Sequence, residues 1–141
     1  MAIHFYSVDM QLRLSGRKFL KHFLIDLALK EGYALKELTF IFCTDNYLLD
    51  INQRFLNHDT FTDIITFPLT DDTGIISGEI YISLERVKEN AIKFNCSEND
   101  ELVRVICHGL LHLCGYRDKT RDEKESMRKK EDFYLALYNK Q

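Results

Sequence analysis

The stretch VICHGLLHLCGYRDKTRDE, residues 105–123, carries two histidines on what looks like one continuous helical pattern. His108 and His112 are four residues apart. Gly115 follows three residues after the second histidine, and Asp118 follows three residues after the glycine. The spacing raises two alternatives, a buried helix that happens to contain histidines and a set of three ligands for a metal ion.

The helix that contains this stretch is predicted to begin after Ser97, to run through His112 and to end at Gly115. At about 100° per residue, the two histidines lie on the same face, about 40° apart. Glu101 and Arg104 share this narrow polar seam. The other faces are apolar and predict a buried helix, with Leu102, Val103, Ile106, Cys107, Leu110, Leu113 and Cys114.

Two imidazoles at positions i and i+4 can bind one zinc ion, and the glycine can turn the chain back so that Asp118 approaches them. The pattern HxxxHxxGxxD has the metzincin spacing, with aspartate in the third place. As an alternative, the histidines bind nothing and Asp118 caps the last helix. However, Thr120 with Glu123 forms a better capping box. The sequence therefore favours one zinc per chain, held by His108, His112 and Asp118.

The residue after the first histidine decides between two kinds of hydrolase. Zinc peptidases of this spacing use HExxH, in which the glutamate is the general base. This chain has Gly109 at that position. Proteolysis is therefore disfavoured, whereas hydrolysis of a phosphodiester stays open because zinc can activate a water and polarise a phosphoryl oxygen.

The composition predicts one globular domain, residues 1–141, with 45% hydrophobic residues. No apolar stretch is long enough to span a membrane and no signal peptide is recognisable, so we expect a cytoplasmic location. The four cysteines form no CxxC pair and are interpreted as buried thiols. The net charge of −3 does not indicate a nucleic-acid partner. The basic segments 12–22 and 128–130 are interpreted as solvated helix faces.

The periodicity of the chain predicts the order β-α-β-α-β-β-α-α-α. This order indicates an α+β fold, a single domain in which a small mixed β-sheet of about four strands packs with about five helices. The strands TDIITFPL and GEIYIS are predicted to form a hairpin around a long turn.

Four segments, HGLLHLCGYRD, INQRFLNHDTFTDIITFP, SGEIYIS and EKESMRKKE, resemble the YbeY family over roughly residues 40 to 135. The resemblance implies a zinc-dependent endoribonuclease that acts on single-stranded RNA. It also implies late maturation of small-subunit ribosomal RNA and ribosome quality control. The implied partners are ribosomal RNA and the small ribosomal subunit.

The chain departs from the family pattern at two important positions. Asp118 stands where the family has a third histidine, and a carboxylate is an ordinary zinc ligand. Leu56 stands where the family has an arginine that is regarded as important for activity. Leu56 therefore also leaves open a ribosome-assembly factor whose zinc is not catalytic, and the spacing leaves open a metzincin-like zinc peptidase or amidohydrolase.

The remaining site residues are candidates that follow from position. A water in the fourth zinc position is expected to be the nucleophile. We expect Glu79 to hydrogen-bond a zinc-ligating imidazole from outside the coordination shell. The candidates for contacts to phosphate or substrate are Arg104, Arg54, Arg117, Lys119 and His58.

Overall fold

The computed structural model describes residues 2–57 and 62–140. Its element order confirms the predicted α+β succession. Within the described residues, no helix has the length and apolar character needed to cross a membrane. The elements are β1 (Ala2–Ser7), α1 (Arg17–Lys30), β2 (Ala34–Cys43), α2 (Asp45–Leu56), β3 (Ile64–Pro68), β4 (Ile75–Ser83), α3 (Leu84–Lys93), α4 (Glu98–Leu113) and α5 (Arg121–Asn139).

The four strands form one mixed sheet in the order β1-β2-β4-β3. β1, β2 and β4 run parallel to one another, and β3 runs antiparallel to β4. The predicted mixed sheet and hairpin are therefore confirmed. β4 begins at Ile75, earlier than the GEIYIS segment, because Ile75 and Ile76 pair with Ala34 and Leu35 of β2.

The larger hydrophobic core lies between the sheet and helices α1, α4 and α5. A smaller cluster lies under α2 and includes Leu48, Ile51 and Ile65. Because Ile64 faces α4 and successive strand residues point to opposite faces, Ile65 faces the other side of the sheet. The sheet is thus covered on both faces, and α4 is the helix at the centre of the larger core.

Side-chain caps fix the beginnings of the two helices that flank the site. The hydroxyl of Ser97 accepts a hydrogen bond from the backbone N–H of Asp100 at 3.0 Å, which begins α4 as predicted. Thr120 and Glu123 form the predicted capping box of α5. The cap at Thr120 leaves Asp118 free of a capping role.

Two glycines let α4 approach the sheet closely. A Cβ atom at Gly109 would lie 2.9 Å from the side chains of Ile64 and Ile80. A Cβ atom at Gly78 of β4 would lie 2.9 Å from a backbone oxygen and 3.0 Å from Leu113 of α4. The helix can take this position only because both residues lack side chains, so a glutamate at position 109 has no room in this fold.

Three of the four cysteines are buried thiols, as expected, and all four are free. Burial raises the pKa of Cys107 to about 12, so this thiol is inert. The prediction is wrong for Cys96, which is exposed because it lies in the short connection between α3 and α4.

The packing at Gly109 predicts the effect of adding one methyl group. A Cβ only 2.9 Å from both isoleucines puts the overpacking cost in the upper part of the usual range, about 2–3 kcal/mol, and the better helix propensity of alanine returns about 1 kcal/mol. We therefore expect Gly109→Ala to lower the free energy of unfolding by about 1–2 kcal/mol in urea denaturation. The control Ser126→Ala, at an exposed position of α5, should change it by less than about 0.5 kcal/mol. An unchanged stability of Gly109→Ala would contradict the close contact.

Candidate metal centre

Three side chains that the sequence predicts as ligands converge at the end of α4. The Nε2 atom of His108 lies 3.3 Å from Oδ2 of Asp118, and Nε2 of His112 lies 3.5 Å from the same oxygen. The ligand atoms of the three residues all lie within 4.8 Å of one another. Gly115 has φ +99°, and this left-handed turn after α4 directs the following chain back toward the histidines.

The donor set fits a single tetrahedral metal ion. Zinc binds imidazole nitrogen and carboxylate oxygen at about 2.0–2.2 Å, so neighbouring tetrahedral ligands lie about 3.3–3.5 Å apart. The two nitrogen–oxygen distances, 3.3 and 3.5 Å, match this separation. Three protein ligands also leave one tetrahedral position for a water or substrate atom, as in catalytic sites.

Both imidazoles are oriented through their other ring nitrogen. Nδ1 of His108 lies 2.5 Å from Oε2 of Glu131 on α5. Nδ1 of His112 lies 2.9 Å from the backbone oxygen of Tyr116. Because both partners are acceptors, each Nδ1 carries the hydrogen and each Nε2 presents its lone pair to the metal position. The tautomers therefore suit metal binding.

A buried carboxylate anchors the loop that carries the third ligand. Glu31, at the end of α1, accepts hydrogen bonds from the hydroxyl groups of Tyr116 and Tyr134 and from Nζ of Lys130. Burial alone would raise the pKa of Glu31, but these three hydrogen bonds outweigh burial and lower it. The ionised carboxylate thus fixes Tyr116, whose backbone oxygen holds His112.

The metal centre opens into a cleft of about 510 Å³. Burial raises the pKa of Asp63 in the cleft, the charge of His108 partly offsets this, and neighbouring carboxylates raise the pKa further. The excess of carboxylates near the ligands favours a cation there. The acidic, basic and histidine residues that line the cleft are Asp63, Glu101, Arg104, His108, Asp118, Lys124, Arg128 and Glu131.

Arg104 lies in the cleft, as its position on the polar seam predicts, but its guanidinium is engaged. It pairs with Glu131 at 3.3 Å and with Asp132 at 2.8 Å. Burial lowers the pKa of Arg104, and the hydrogen bonds with the two carboxylates outweigh it, so the pKa is raised. Arg104 therefore holds the carboxylate that orients His108, and its expected contact with phosphate stays a prediction.

Of the two candidates on the α2 side, Arg54 lies among the described residues and does not line the cleft. Arg54 is exposed and pairs with Asp50 on its own helix at 3.2 Å. Leu56 ends α2 and is exposed, so it brings an apolar side chain and no charge to this end of the helix. His58 lies outside the described residues. The expected contribution of Arg54 is therefore not supported by its position.

Arg117 and Lys119 flank the ligand Asp118 in sequence, and both are exposed. The backbone N–H of Lys119 donates to Glu123 at 3.2 Å as part of the cap of α5. Neither side chain lines the cleft. Their role in substrate binding stays a prediction.

The expectation for Glu79 is wrong. Gly78 and Ile80 face α4, so Glu79 between them points to the opposite face of the sheet. There, burial and then the charge of Glu79 raise the pKa of Tyr81. The orienting carboxylate is Glu131 instead.

Sequence reasoning missed Glu131, although its position carried a signal. Met127, Glu131 and Tyr134 have helical spacing, and all three are buried. A charged residue in a core-facing stripe usually has a buried partner. The sequence also did not indicate that Lys124 and Arg128 line the cleft, because the pattern of α5 alone does not show what lies next to the side of the helix that carries them.

The fold and the three donors define a small α+β protein with a candidate site for one metal ion. The family model described as Endoribonuclease YbeY matches residues 5–139. The chain is 50% identical over 135 residues to an endoribonuclease YbeY of Cytophaga hutchinsonii, covering 96% of this chain and 94% of the relative. It is 44% identical over 133 residues to one of Amoebophilus asiaticus, covering 94% and 90%.

The fold has a solved counterpart, the solution structure of TM1509 from Thermotoga maritima. The two share 30% sequence identity with a TM-score of 0.67, covering 97% of this chain and 89% of that chain. The chain belongs to the Endoribonuclease YbeY family. The resemblance found in the sequence is thereby confirmed.

The hydrogen bond from His108 predicts that Glu131 controls metal affinity. Loss of such an outer partner typically weakens metal binding by about 10–100-fold. We expect Glu131→Gln to raise the dissociation constant for zinc by this factor in competition titrations with a chelator. Asp132→Asn is the matched control, since Asp132 also pairs with Arg104 but makes no contact with His108. Equal affinities of the two variants would contradict the role of Glu131.

The environment of His108 predicts a pH dependence of the metal-free protein. Burial lowers the pKa of His108, but the hydrogen bond to Glu131 and the charges of Glu131, Asp118 and Asp63 outweigh burial and raise it above 6.5. A raised folded-state pKa stabilises the fold below the unfolded value, and this contribution is lost as the pH rises through the folded value.

In EDTA, the difference in free energy of unfolding between wild type and His108→Gln should therefore be larger at about pH 6 than at about pH 9. Urea denaturation at the two pH values measures it. A difference that stays constant, or that grows with pH, would show that the carboxylates do not hold a proton on His108.

Proposed function

We propose that this endoribonuclease hydrolyses single-stranded RNA with one zinc ion held by His108, His112 and Asp118. One observation carries the proposal: two imidazole nitrogens and a carboxylate oxygen converge at tetrahedral distances, 3.3 and 3.5 Å, on the edge of an open cleft. Nitrogen and oxygen donors of this kind suit zinc. We further propose that residues 1–141 form one metallohydrolase domain.

The protein's own residues prepare the site for phosphodiester hydrolysis. Glu131 and the Tyr116 carbonyl fix the imidazole rings, so that both Nε2 atoms point to the same place. When bound, zinc would supply Lewis-acid activation of a water and of a phosphoryl oxygen. Lys124 and Arg128 lie on the cleft wall, where they can attract the negative backbone of RNA.

The biological substrate proposed is the small-subunit ribosomal RNA, whose late maturation the enzyme would serve together with ribosome quality control. The support is the resemblance to the YbeY family, strengthened by membership over residues 5–139. The proposed partner is then the small ribosomal subunit, and the proposed location is the cytoplasm.

The alternative functions differ in what they require of the site. A zinc peptidase or amidohydrolase of metzincin type needs a base at position 109, and Gly109 is packed against Ile64 and Ile80. A ribosome-assembly factor with non-catalytic zinc needs the same ligands but no cleavage of RNA. Leu56, which replaces the arginine of the family pattern, favours this second alternative.

The proposal predicts that metal content and RNA cleavage are lost together. We expect about one zinc per chain in the wild type, measured by mass spectrometry of metals. His112→Ala and Asp118→Ala should lose the zinc and at least about a hundredfold of cleavage of a labelled single-stranded RNA, because metal activation is worth several kcal/mol. His22→Ala and Asp26→Ala, both at exposed positions of α1, are the matched controls.

The alternatives give different results in the same experiment. Cleavage of casein but not of RNA would indicate a peptidase. Zinc bound as expected, with no RNA cleavage and with unchanged rRNA processing in cells that carry His112→Ala, would indicate an assembly factor. RNA cleavage that survives the loss of zinc would overturn the proposed mechanism.

A further inference from the structure

The cleft beside the metal centre has two chemically different walls. Helices α3 and α5 both pack on α4, which carries the histidines. The end of α3 contributes Phe94 to the cleft, and α5 contributes Lys124 and Arg128. One wall therefore offers an aromatic ring, and the other offers positive charge.

Phe94 combines an exposed ring with an anchored backbone. It follows the last residue of α3, and its backbone N–H donates to the carbonyl of Asn90, which fixes its position. Its relative exposure is 54%. The ammonium group of Lys93 lies 5.6 Å from the centroid of the Phe94 ring, so a cation lies beside the ring. An anchored, exposed ring in a cleft is suited to stacking on a flat ligand.

Lys124 and Arg128 are available for a ligand in a way that Arg104 is not. Among the described residues, neither forms an ion pair within 4.0 Å; burial raises the pKa of Glu101, and the charges of Arg104 and Arg128 offset this only in part. They are one helical turn apart, with Cβ atoms about 5–6 Å from each other, comparable to the step between phosphates of a nucleic-acid strand. A second cavity of about 560 Å³ on α5 shares both residues.

The distribution of charge in the cleft separates two kinds of ligand. Asp63 and Glu131 lie with Asp118 on the side of the metal centre, whereas Glu101 lies nearer Cys96 and is influenced by Arg104 and Arg128. The carboxylates beside the metal centre attract a metal cation and repel a phosphate from that part of the cleft. Lys124 and Arg128 on the wall attract the phosphate. The phosphate backbone of an RNA strand would therefore follow α5 and approach the carboxylates only beside the metal position.

We propose that the cleft binds one nucleotide of single-stranded RNA between its walls, with a base stacked on Phe94 and the adjacent phosphates on Lys124 and Arg128. The inference rests on the proposed function and assigns the substrate contacts of that site. It explains a preference for single strands, because a base can reach Phe94 only when it is not stacked in a duplex. It assigns no preference among the four bases, since each has a flat face.

The test is RNA binding by metal-free protein in EDTA, followed by fluorescence anisotropy. The two probes are a labelled strand of about ten uridines and a strand of equal length whose central nucleotides lack bases. We expect wild type to bind the uridine strand about tenfold more tightly, as one stacked base provides. Phe94→Ala should reduce this ratio to less than about twofold, and Phe94→Trp should restore it.

The phosphate contacts are tested with the double variant Lys124→Gln/Arg128→Gln. It should weaken both strands equally and lower the slope of log affinity against log salt by about 1.4, which corresponds to two phosphate contacts on a single strand. Ile92→Ala is the apolar control, being 83% exposed on α3 outside the cleft lining. Lys18→Gln/Lys21→Gln on α1 is the charge control. Both controls should behave as wild type.

If wild type binds the two strands with about equal affinity, or if Phe94→Ala leaves the ratio of the two affinities unchanged, base stacking on Phe94 is overturned. If the double variant leaves the slope of log affinity against log salt unchanged, the phosphate contacts of Lys124 and Arg128 are overturned. The uridine strand is also incubated with zinc-loaded wild type and examined on a denaturing gel. Cleavage without dependence on these residues would leave the proposed function standing and remove the inference, whereas neither binding nor cleavage would remove both.

Discussion

The contact of α4 with β3 and β4 at Gly109 determines where the metal centre can form. Because Gly109 has no side chain, the helix lies directly against Ile64 and Ile80. The apolar faces of α4 are then buried, and its narrow polar seam with His108 and His112 is left at the border of the sheet, where His108 lines the cleft. The same contact excludes a glutamate at position 109. Close packing therefore both positions the histidines and removes the general base that a peptidase of this spacing would use.

Helix α5 orients His108 through a direct hydrogen bond and His112 through intermediate residues. Glu131 bonds directly to His108, and Arg104 and Asp132 complete this charge network. Lys130 and Tyr134 of α5 bond to Glu31, which also binds the hydroxyl of Tyr116, and the backbone oxygen of Tyr116 holds His112. Glu131 directly and Glu31 through Tyr116 thus fix the orientation of the two rings, as outer hydrogen-bond partners do at metal sites. The same helix presents Lys124 and Arg128 to the cleft, so it joins the support of the metal site to the proposed RNA contacts.

Much of the fold and the ligand triad could be predicted from local patterns. Apolar periodicity gave the element order, and the caps at Ser97 and Thr120 gave the helix starts, because these signals arise within a few residues of the chain. The clustering of the three candidate ligands was predictable because His108, His112 and Asp118 belong to one helix and the turn after it. The partners of the ligands were not, since Glu131 and Glu31 reach the site only through tertiary packing. The expected role of Glu79 failed for a related reason: the face to which a strand residue points depends on register against α4.

The most direct test of this account is a crystal structure of the zinc-loaded protein with anomalous diffraction measured at the zinc edge. The account predicts one zinc peak per chain, with Nε2 of His108, Nε2 of His112 and a carboxylate oxygen of Asp118 at about 2.0–2.2 Å. It also predicts Glu131 outside the coordination sphere, still bonded to Nδ1 of His108. A zinc ion bound by Glu131 or Asp63 in place of Asp118, or no peak beside α4 at all, would contradict it.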